Sequence, residues 1–239
     1  MGSGKSPTPS VQPEKPPRAV LAASTVETRM STYKFTMKSG ETAGEGAADP
    51  TTKSGHLALE LVIPEDRLKA TFEVLTLNVE SWIKIDYGRA AGLPNVPKLP
   101  KQWMALDISK VKDPTQLGFQ DMDPLEVGEV FKAIVEVRKA GERSYEGTVD
   151  LTKATDAFLV NDEHVKALGG RGVSVPFAAT VDEKERLTSL EIDVPGAGDF
   201  EATTWKATYS DYGAAVSITR PNPREVVKAP AAVYRFLNS

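Results

Sequence analysis

The stretch from Val173 to Ile218 constrains the fold of this chain more than any other. Short runs of alternating apolar and polar residues are separated there by polar turns at Asp182–Arg186, Pro195–Gly198 and Ser210–Gly213. Strand patterns that are bounded so closely by Gly, Pro, Asp and Ser are typical of an antiparallel meander. We therefore predict four neighbouring strands in this stretch.

The first half of the chain shows the same alternation. Strands are predicted at Thr32–Lys38, Gly40–Asp49, His56–Ile63, Leu68–Leu77, Val79–Tyr87 and Gln102–Ile108, and a further strand follows at Ser144–Leu151. In Val79–Tyr87, Val79, Ile83, Ile85 and Tyr87 are predicted to share one face, with Trp82 on the other. Successive strands without helical patterns between them favour an antiparallel sheet over parallel units with crossover helices.

A strongly marked helix is predicted to begin at Asp123. Pro124 suits a first helical turn, and Glu126 stands three residues after the cap, as in a capping box. The apolar stripe of this helix consists of Val127, Val130, Phe131, Ile134 and Val135. Such a stripe has to pack against an apolar surface.

Three other helices are predicted from local patterns. The first runs from about Arg18 to Met30, with Val20, Ala23, Val26 and Met30 on one face. Shorter helices are predicted at Asn161–Leu168 and Ala231–Leu237. The fold class is thus mainly β (α+β), with about 10 or 11 strands and three or four helices.

Composition excludes several classes of protein. The chain has 239 residues, a formal net charge of −4 and no cysteine. Disulfides, thiol catalysis and cysteine-ligated zinc are therefore excluded. Acidic and basic residues are mixed along the chain without a basic stripe, which argues against nucleic acid as a partner. Residues 1–18 are rich in proline and are predicted to form a disordered tether, followed by a single domain at 19–239.

The sequence offers little for catalysis. Neither His56 nor His164 stands in a context that suggests a Ser–His–Asp arrangement, and His164 is predicted to be a surface residue. Helix capping explains Asp123 better than cation binding does, and Gly169–Gly172 lacks the Lys-Ser/Thr of a phosphate loop. We expect a non-enzymatic protein without metal or cofactor.

Several short motifs resemble a known family. Tyr33-Lys-Phe-Thr-Met follows a helix of small residues, and Val175-Pro-Phe-Ala-Ala-Thr-Val-Asp and Arg186-Leu-Thr-Ser-Leu come later in the chain. Trp205 is followed by Thr208-Tyr-Ser-Asp-Tyr-Gly. In this order, over about Arg18 to Asn238, the motifs resemble the actinobacterial LppX/LprG lipoprotein family.

The resemblance implies a LolA-like fold, in which a strongly curved antiparallel sheet, or half-barrel, has helices over its concave face. Members bind lipids or lipidated molecules between sheet and helices, and an acylated N-terminal cysteine anchors them. This sequence lacks that cysteine. We attribute the difference to trimming of the lipidated end, and expect export to the cell envelope at the outer face of the cytoplasmic membrane.

The same resemblance assigns a lipid cavity to the inward-facing apolar residues. Its candidate lining is Phe35, Met37, Leu59, Leu61, Phe72, Val74, Ile83, Ile85, Val127, Phe131, Ile134, Val149, Phe177, Leu190, Ile192 and Trp205. Periodicity alone does not distinguish residues that line a cavity from residues that fill a core.

Two functions remain open at this point. The first is a carrier of lipid or glycolipid acyl chains, with the membrane surface and a transport partner protein as its contacts. The second is an envelope sensor or protein-interaction module on the same fold, without lipid cargo.

Overall fold

The computed structural model describes residues 14–25, 30–63, 68–93, 96–117, 119, 121–154 and 162–238. Residues 1–13 of the predicted tether and Asn161, the predicted cap of a helix, lie outside these ranges. Within these ranges the chain forms an open, curved sheet of 12 strands with four α-helices, and the curvature is compatible with a half-barrel.

The helices and strands follow one another along the chain. The strands are β1 (Tyr33–Ser39), β2 (Thr42–Asp49), β3 (Ser54–Ile63), β4 (Leu68–Leu77), β5 (Glu80–Asp86), β6 (Trp103–Ala105), β7 (Ile134–Lys139), β8 (Ser144–Val149), β9 (Val175–Val181), β10 (Leu187–Val194), β11 (Thr203–Ser210) and β12 (Val226–Lys228). The helices are α1 (Pro17–Ser24), α2 (Val127–Lys132), α3 (Asp162–Leu168) and α4 (Ala231–Leu237).

Two meanders are joined in the middle of the sheet. The strand order is β12-β6-β5-β4-β3-β2-β1-β11-β10-β9-β8-β7. The joining ladder is antiparallel and pairs Phe35 with Tyr209, and Met37 with Ala207. The sheet is mixed, since β12 pairs with β6 in parallel. The prediction of an antiparallel sheet of 10 or 11 strands is therefore correct for the main part of the sheet. It did not include the parallel pairing of β12 at one edge.

One face of the sheet carries the core, and we call it the covered face. Along β1, Tyr33, Phe35 and Met37 are buried and the residues between them are exposed, as predicted. Helices and loops pack on this face, and its apolar side chains form one contiguous cluster. Burial of such a cluster is the main favourable contribution to folding.

Glycines on β2 give the large side chains of the covered face their space. A Cβ added to Gly46 would lie 2.4 Å from Cζ of Phe35, and one added to Gly44 would lie 2.4 Å from a methyl group of Leu59. The ring and the leucine therefore lie directly on the β2 backbone. At these positions the covered face is filled by its own side chains.

The prediction of four strands in Val173–Ile218 is wrong for the last one. β9, β10 and β11 lie there, and residues 214–218 form no strand. Since β11 is central and β12 is at an edge, the chain after β11 has to pass the ends of β1 to β6 before it pairs again. Val216 and Ile218 line a cleft beside Asp49 and Asn78 on this route.

The long helix predicted to begin at Asp123 and to end at about Arg138 to Gly141 is also wrong. α2 has only six residues, and Ile134–Lys139 forms the edge strand β7. The β-branched residues of Ile134–Lys139 favour a strand, and pairing with β8 stabilises it. Glu126 has a positive φ of 52° just before the helix, so the predicted capping box does not form.

Trp82 lies on the face opposite Ile83 and Ile85, as predicted. Its side chain was expected to face out, but it is buried on that face. It is only 5% exposed, and the Arg220 guanidinium lies 5.4 Å from its ring centroid. Val79, predicted to be aligned with Ile83, precedes β5 and is 78% exposed.

The ends of several other predicted elements differ from the observed ones, most of all in α1 and β6. α1 begins at Pro17 and ends at Ser24, and Val20, Leu21 and Ser24 are its buried residues, while Met30 is exposed. The predicted strand Gln102–Ile108 shortens to β6. α3 and α4 are found where helices were predicted. Val233 and Leu237 are the buried residues of α4.

Gly46→Ala is expected to lower the free energy of unfolding by about 1–3 kcal/mol, since the new Cβ would meet both Phe35 and the His56 carbonyl oxygen. Urea denaturation measures the change. Gly170→Ala is the matched control, because a Cβ at Gly170 has no atom within 4 Å. Equal stability of the two variants would contradict the close packing over β2.

Candidate functional site: the covered face of the sheet

The structure brings all the predicted lining residues together in one cluster. Leu61 and Phe72 are partly buried, and the other members are buried. They come from both meanders and from α2, as the resemblance implied. The cluster contains Trp205, the largest of the fully buried side chains among the described residues.

An irregular segment covers the β1–β5 part of this face. We call residues 106–117, 119 and 121–126 the covering segment. It contains two short 3-10 turns, Ile108–Lys110 and Pro114–Leu117, and no α-helix. Its buried apolar residues are Val111, Leu117, Phe119, Met122 and Leu125. The Phe119 ring lies on Gly55 of β3, where an added Cβ would be 2.0 Å from Cδ1.

The helix α2 covers the other part of the face. The Phe131 and Phe177 ring centroids are 6.4 Å apart, which places α2 over β9. Asp123 holds the start of the helix, since its carboxylate accepts hydrogen bonds from the Val127 and Gly128 amides at 3.2 and 2.8 Å. The predicted capping role of Asp123 is confirmed, although it acts from before the first turn.

The cover is thinnest at one set of strand ends, where β3 is followed by β4 and β5 by β6. Leu61 and Phe72 are only partly buried there, and Phe236 of α4, which is 45% exposed, lies 6.1 Å from Phe72 between ring centroids. Tyr87 and Leu99 pack against the core in the same partly buried way. We call this region the open end of the covered face.

A polar cluster lies at the opposite strand ends, inside the core. The Tyr33 hydroxyl donates a hydrogen bond of 2.6 Å to the Met122 carbonyl, and its ring centroid is 5.9 Å from that of Tyr209. Burial, helped by the Asp123 carboxylate, raises the pKa of Tyr209 well above its ordinary value. Among the described residues, the Tyr209 hydroxyl has no hydrogen-bond partner.

Tyr209→Phe is expected to leave the free energy of unfolding unchanged or to raise it, because no hydrogen bond is lost. Tyr33→Phe, with its ring in the same cluster, should lower the free energy by about 1–3 kcal/mol, because the Met122 carbonyl loses its donor. Chemical denaturation of both variants tests the contrast. A larger loss for Tyr209→Phe would show that this hydroxyl is bonded.

The raised pKa of Tyr209 also predicts a pH dependence. The unfolded tyrosine ionises near about pH 10, whereas the buried one stays protonated, so its contribution is complete below that pH and is lost as the pH rises above it. Tyr209→Phe should therefore lessen the alkaline fall in stability. If the stability of the variant falls as much at alkaline pH, the ionisation of other groups causes the fall.

The two histidines take unlike positions. His164 was predicted to be a surface residue, and this is wrong: it is 4% exposed, its ring stacks on Phe200 at 4.8 Å, and its Nε2 lies 3.0 Å from the Pro195 carbonyl oxygen. It ties α3 to the loop between β10 and β11. His56 lies on the opposite face of the sheet, with Nε2 3.5 Å from Glu73.

Two of the predicted lining residues border surface clefts. Leu59 lies beside a cleft of about 500 Å³, and Phe177 beside one of about 940 Å³. Within the described ranges, no three His, Cys, Asp or Glu side chains are grouped to hold a metal ion. None of the helices in those ranges is long and apolar enough to cross a membrane.

No protein-family model matches the chain, and no curated protein sequence matches it.

Proposed function

We propose that this protein is a non-enzymatic carrier of lipid or glycolipid acyl chains, and that the covered face of a LolA-like half-barrel is its binding surface. The proposal includes export and attachment to the cell envelope through a lipidated N-terminus. The observation that carries it is the continuous apolar surface on an open, curved sheet, which reaches partly buried side chains at the open end.

The energetics suit such a cargo. Each methylene group removed from water contributes roughly 0.8 kcal/mol, so a chain of sixteen carbons gains about 12 kcal/mol on full burial. An apolar surface supplies this without catalytic groups. Phe72 and Leu61 offer the first contact at the open end, and the face beyond them is lined by Leu59 and Val74.

Binding requires space that the side chains now fill. The covering segment is the element best suited to yield, because its backbone forms short turns and extended stretches with few regular hydrogen bonds. Displacement of Phe119 from Gly55 would uncover the β3 backbone and create a furrow beside Leu57. The acyl chain would then take the place of the covering segment's side chains.

A sensor or protein-interaction module is the second candidate, and close packing favours it. Phe35 lies on Gly46 and Leu59 lies on Gly44, so this part of the core is complete without a ligand. Such a protein would use its outer surfaces and would take up no lipid. Acyl-chain uptake separates the two functions.

Leu61→Trp is expected to lower the affinity for a pyrene-labelled hexadecanoic acid at least tenfold, because the larger ring narrows the open end while the fold is kept. Fluorescence titration gives the affinity, and thermal unfolding verifies the fold. Val79→Trp, at a site in the β4–β5 turn that is 78% exposed, is the control and should change neither quantity. Collapse of the Leu61→Trp fold would identify this position as filled core.

Phe119→Ala is expected to raise the affinity for the same probe several-fold, since it removes the ring that occupies the space over Gly55. Its stability should fall by about 3–5 kcal/mol, as for other large-to-small core changes. Leu168→Ala, a buried site on α3 away from the covering segment, should lower stability without raising affinity. Equal affinity changes in the two variants would contradict a role of Phe119 in closing the site.

A further inference from the structure

We propose that the loop between β5 and β6 docks on the surface of an anionic lipid bilayer. We call residues 87–93 and 96–101 the basic loop. It carries Arg89, Lys98 and Lys101 and no acidic residue, on a chain whose net charge is −4. A positive surface on an acidic protein orients it towards anionic lipid, since the rest of the molecule is repelled.

The charges of the basic loop face solvent. Arg89, Lys98 and Lys101 are exposed, and among the described residues none of them forms an ion pair. Many of the other exposed lysines and arginines are paired, as Lys69 is with Glu60 and Arg138 with Glu146. Unpaired charges are available to phosphate groups without first breaking an internal contact.

An apolar side chain accompanies these charges. Leu93, in the same turn as Arg89, is 38% exposed and can contact a surface that the basic side chains approach. A basic surface with an exposed apolar side chain matches a bilayer interface, where the charges meet head groups and the leucine enters the acyl boundary. An acidic protein partner would satisfy the charges and leave Leu93 without a matching environment.

Tight turns hold the basic loop in place. The Ala90 amide donates to the Tyr87 carbonyl at 2.8 Å, and the Leu93 amide donates to the Ala90 carbonyl at 3.1 Å. At the base, the Gly88 amide donates to Oδ1 of Asp86 at 2.9 Å, which fixes the first turn of the loop. Leu99 and Tyr87 anchor the loop in the core.

The basic loop stands beside the open end of the covered face. Gly88 lies against the Lys69 carbonyl at the start of β4, where an added Cβ would come within 3.1 Å of the oxygen. The first described residues of the chain join at the other strand ends, where Glu14 pairs with Lys139 and Lys15 with Glu185. Docking through the loop therefore presents the open end, and not the N-terminal side, to the bilayer.

Vesicle flotation tests the docking by itself, since it requires no acyl chain to enter the protein. The full chain is expected to float with phosphatidylglycerol–phosphatidylcholine vesicles at low salt, not with pure phosphatidylcholine vesicles, and to be released by high salt. The protein can therefore fail to float with vesicles and still bind an acyl chain, and it can float with vesicles without binding an acyl chain.

The charge-neutral variant R89Q/K98Q/K101Q is expected to lose about fivefold in vesicle affinity per charge, or roughly a hundredfold in all. The control K53Q/K166Q/K184Q changes the net charge equally at exposed sites elsewhere and should lose less than threefold. Leu93→Ser should weaken binding further. Equal losses in the two triple variants, no flotation of the unaltered chain, or equal binding to both vesicle types would overturn the proposal.

Discussion

The ladder between β1 and β11 is the interaction on which the rest of the structure depends. It joins a meander built from the first half of the chain to one built from the second half, across a gap of some 170 residues between Thr36 and Thr208. Without it, β1 and β11 would each be an unpaired edge, and the sheet would divide into two smaller sheets. Such a long-range pairing has a high entropic cost, which the burial of Tyr33, Phe35 and Trp205 beside it offsets.

This joint also decides where the remaining segments lie. Because β11 is central, the chain that follows has to cross six strand ends to reach β12, and Arg220 covers Trp82 on the way. α2 and the covering segment are placed between the meanders, where they meet the covered face from above β9 and β3. At the open end Leu61 and Phe72 stay partly buried, and Phe236 of α4 lies 6.1 Å from Phe72 between ring centroids.

The sequence predicts the sidedness of the strands well, since alternation is a local property. Tyr33, Phe35 and Met37, and likewise Ile83 and Ile85, face the core as predicted. The prediction fails where contacts with residues distant in the sequence decide the secondary structure. Ile134–Lys139 has a helical stripe but pairs with β8, and the apolar residues at 214–218 lie on a crossing segment.

The predicted site shows the same division. The pattern identifies the inward apolar residues, yet it does not show that Phe119 rests on Gly55 or that Phe35 rests on Gly46, because those contacts join separate segments. The burial of His164 against Phe200 carries no signal in the local sequence either. Whether an interior is lined or filled is thus a property of packing and not of periodicity.

The central claim is that the covered face accommodates an acyl chain. Native mass spectrometry of the full chain, after incubation with a mixture of phospholipids and extraction of the bound fraction, tests it most directly. The account predicts a complex of one protein with lipid that survives transfer and yields acyl chains on extraction. Recovery of lipid-free protein alone, at lipid concentrations that saturate a carrier, would contradict it.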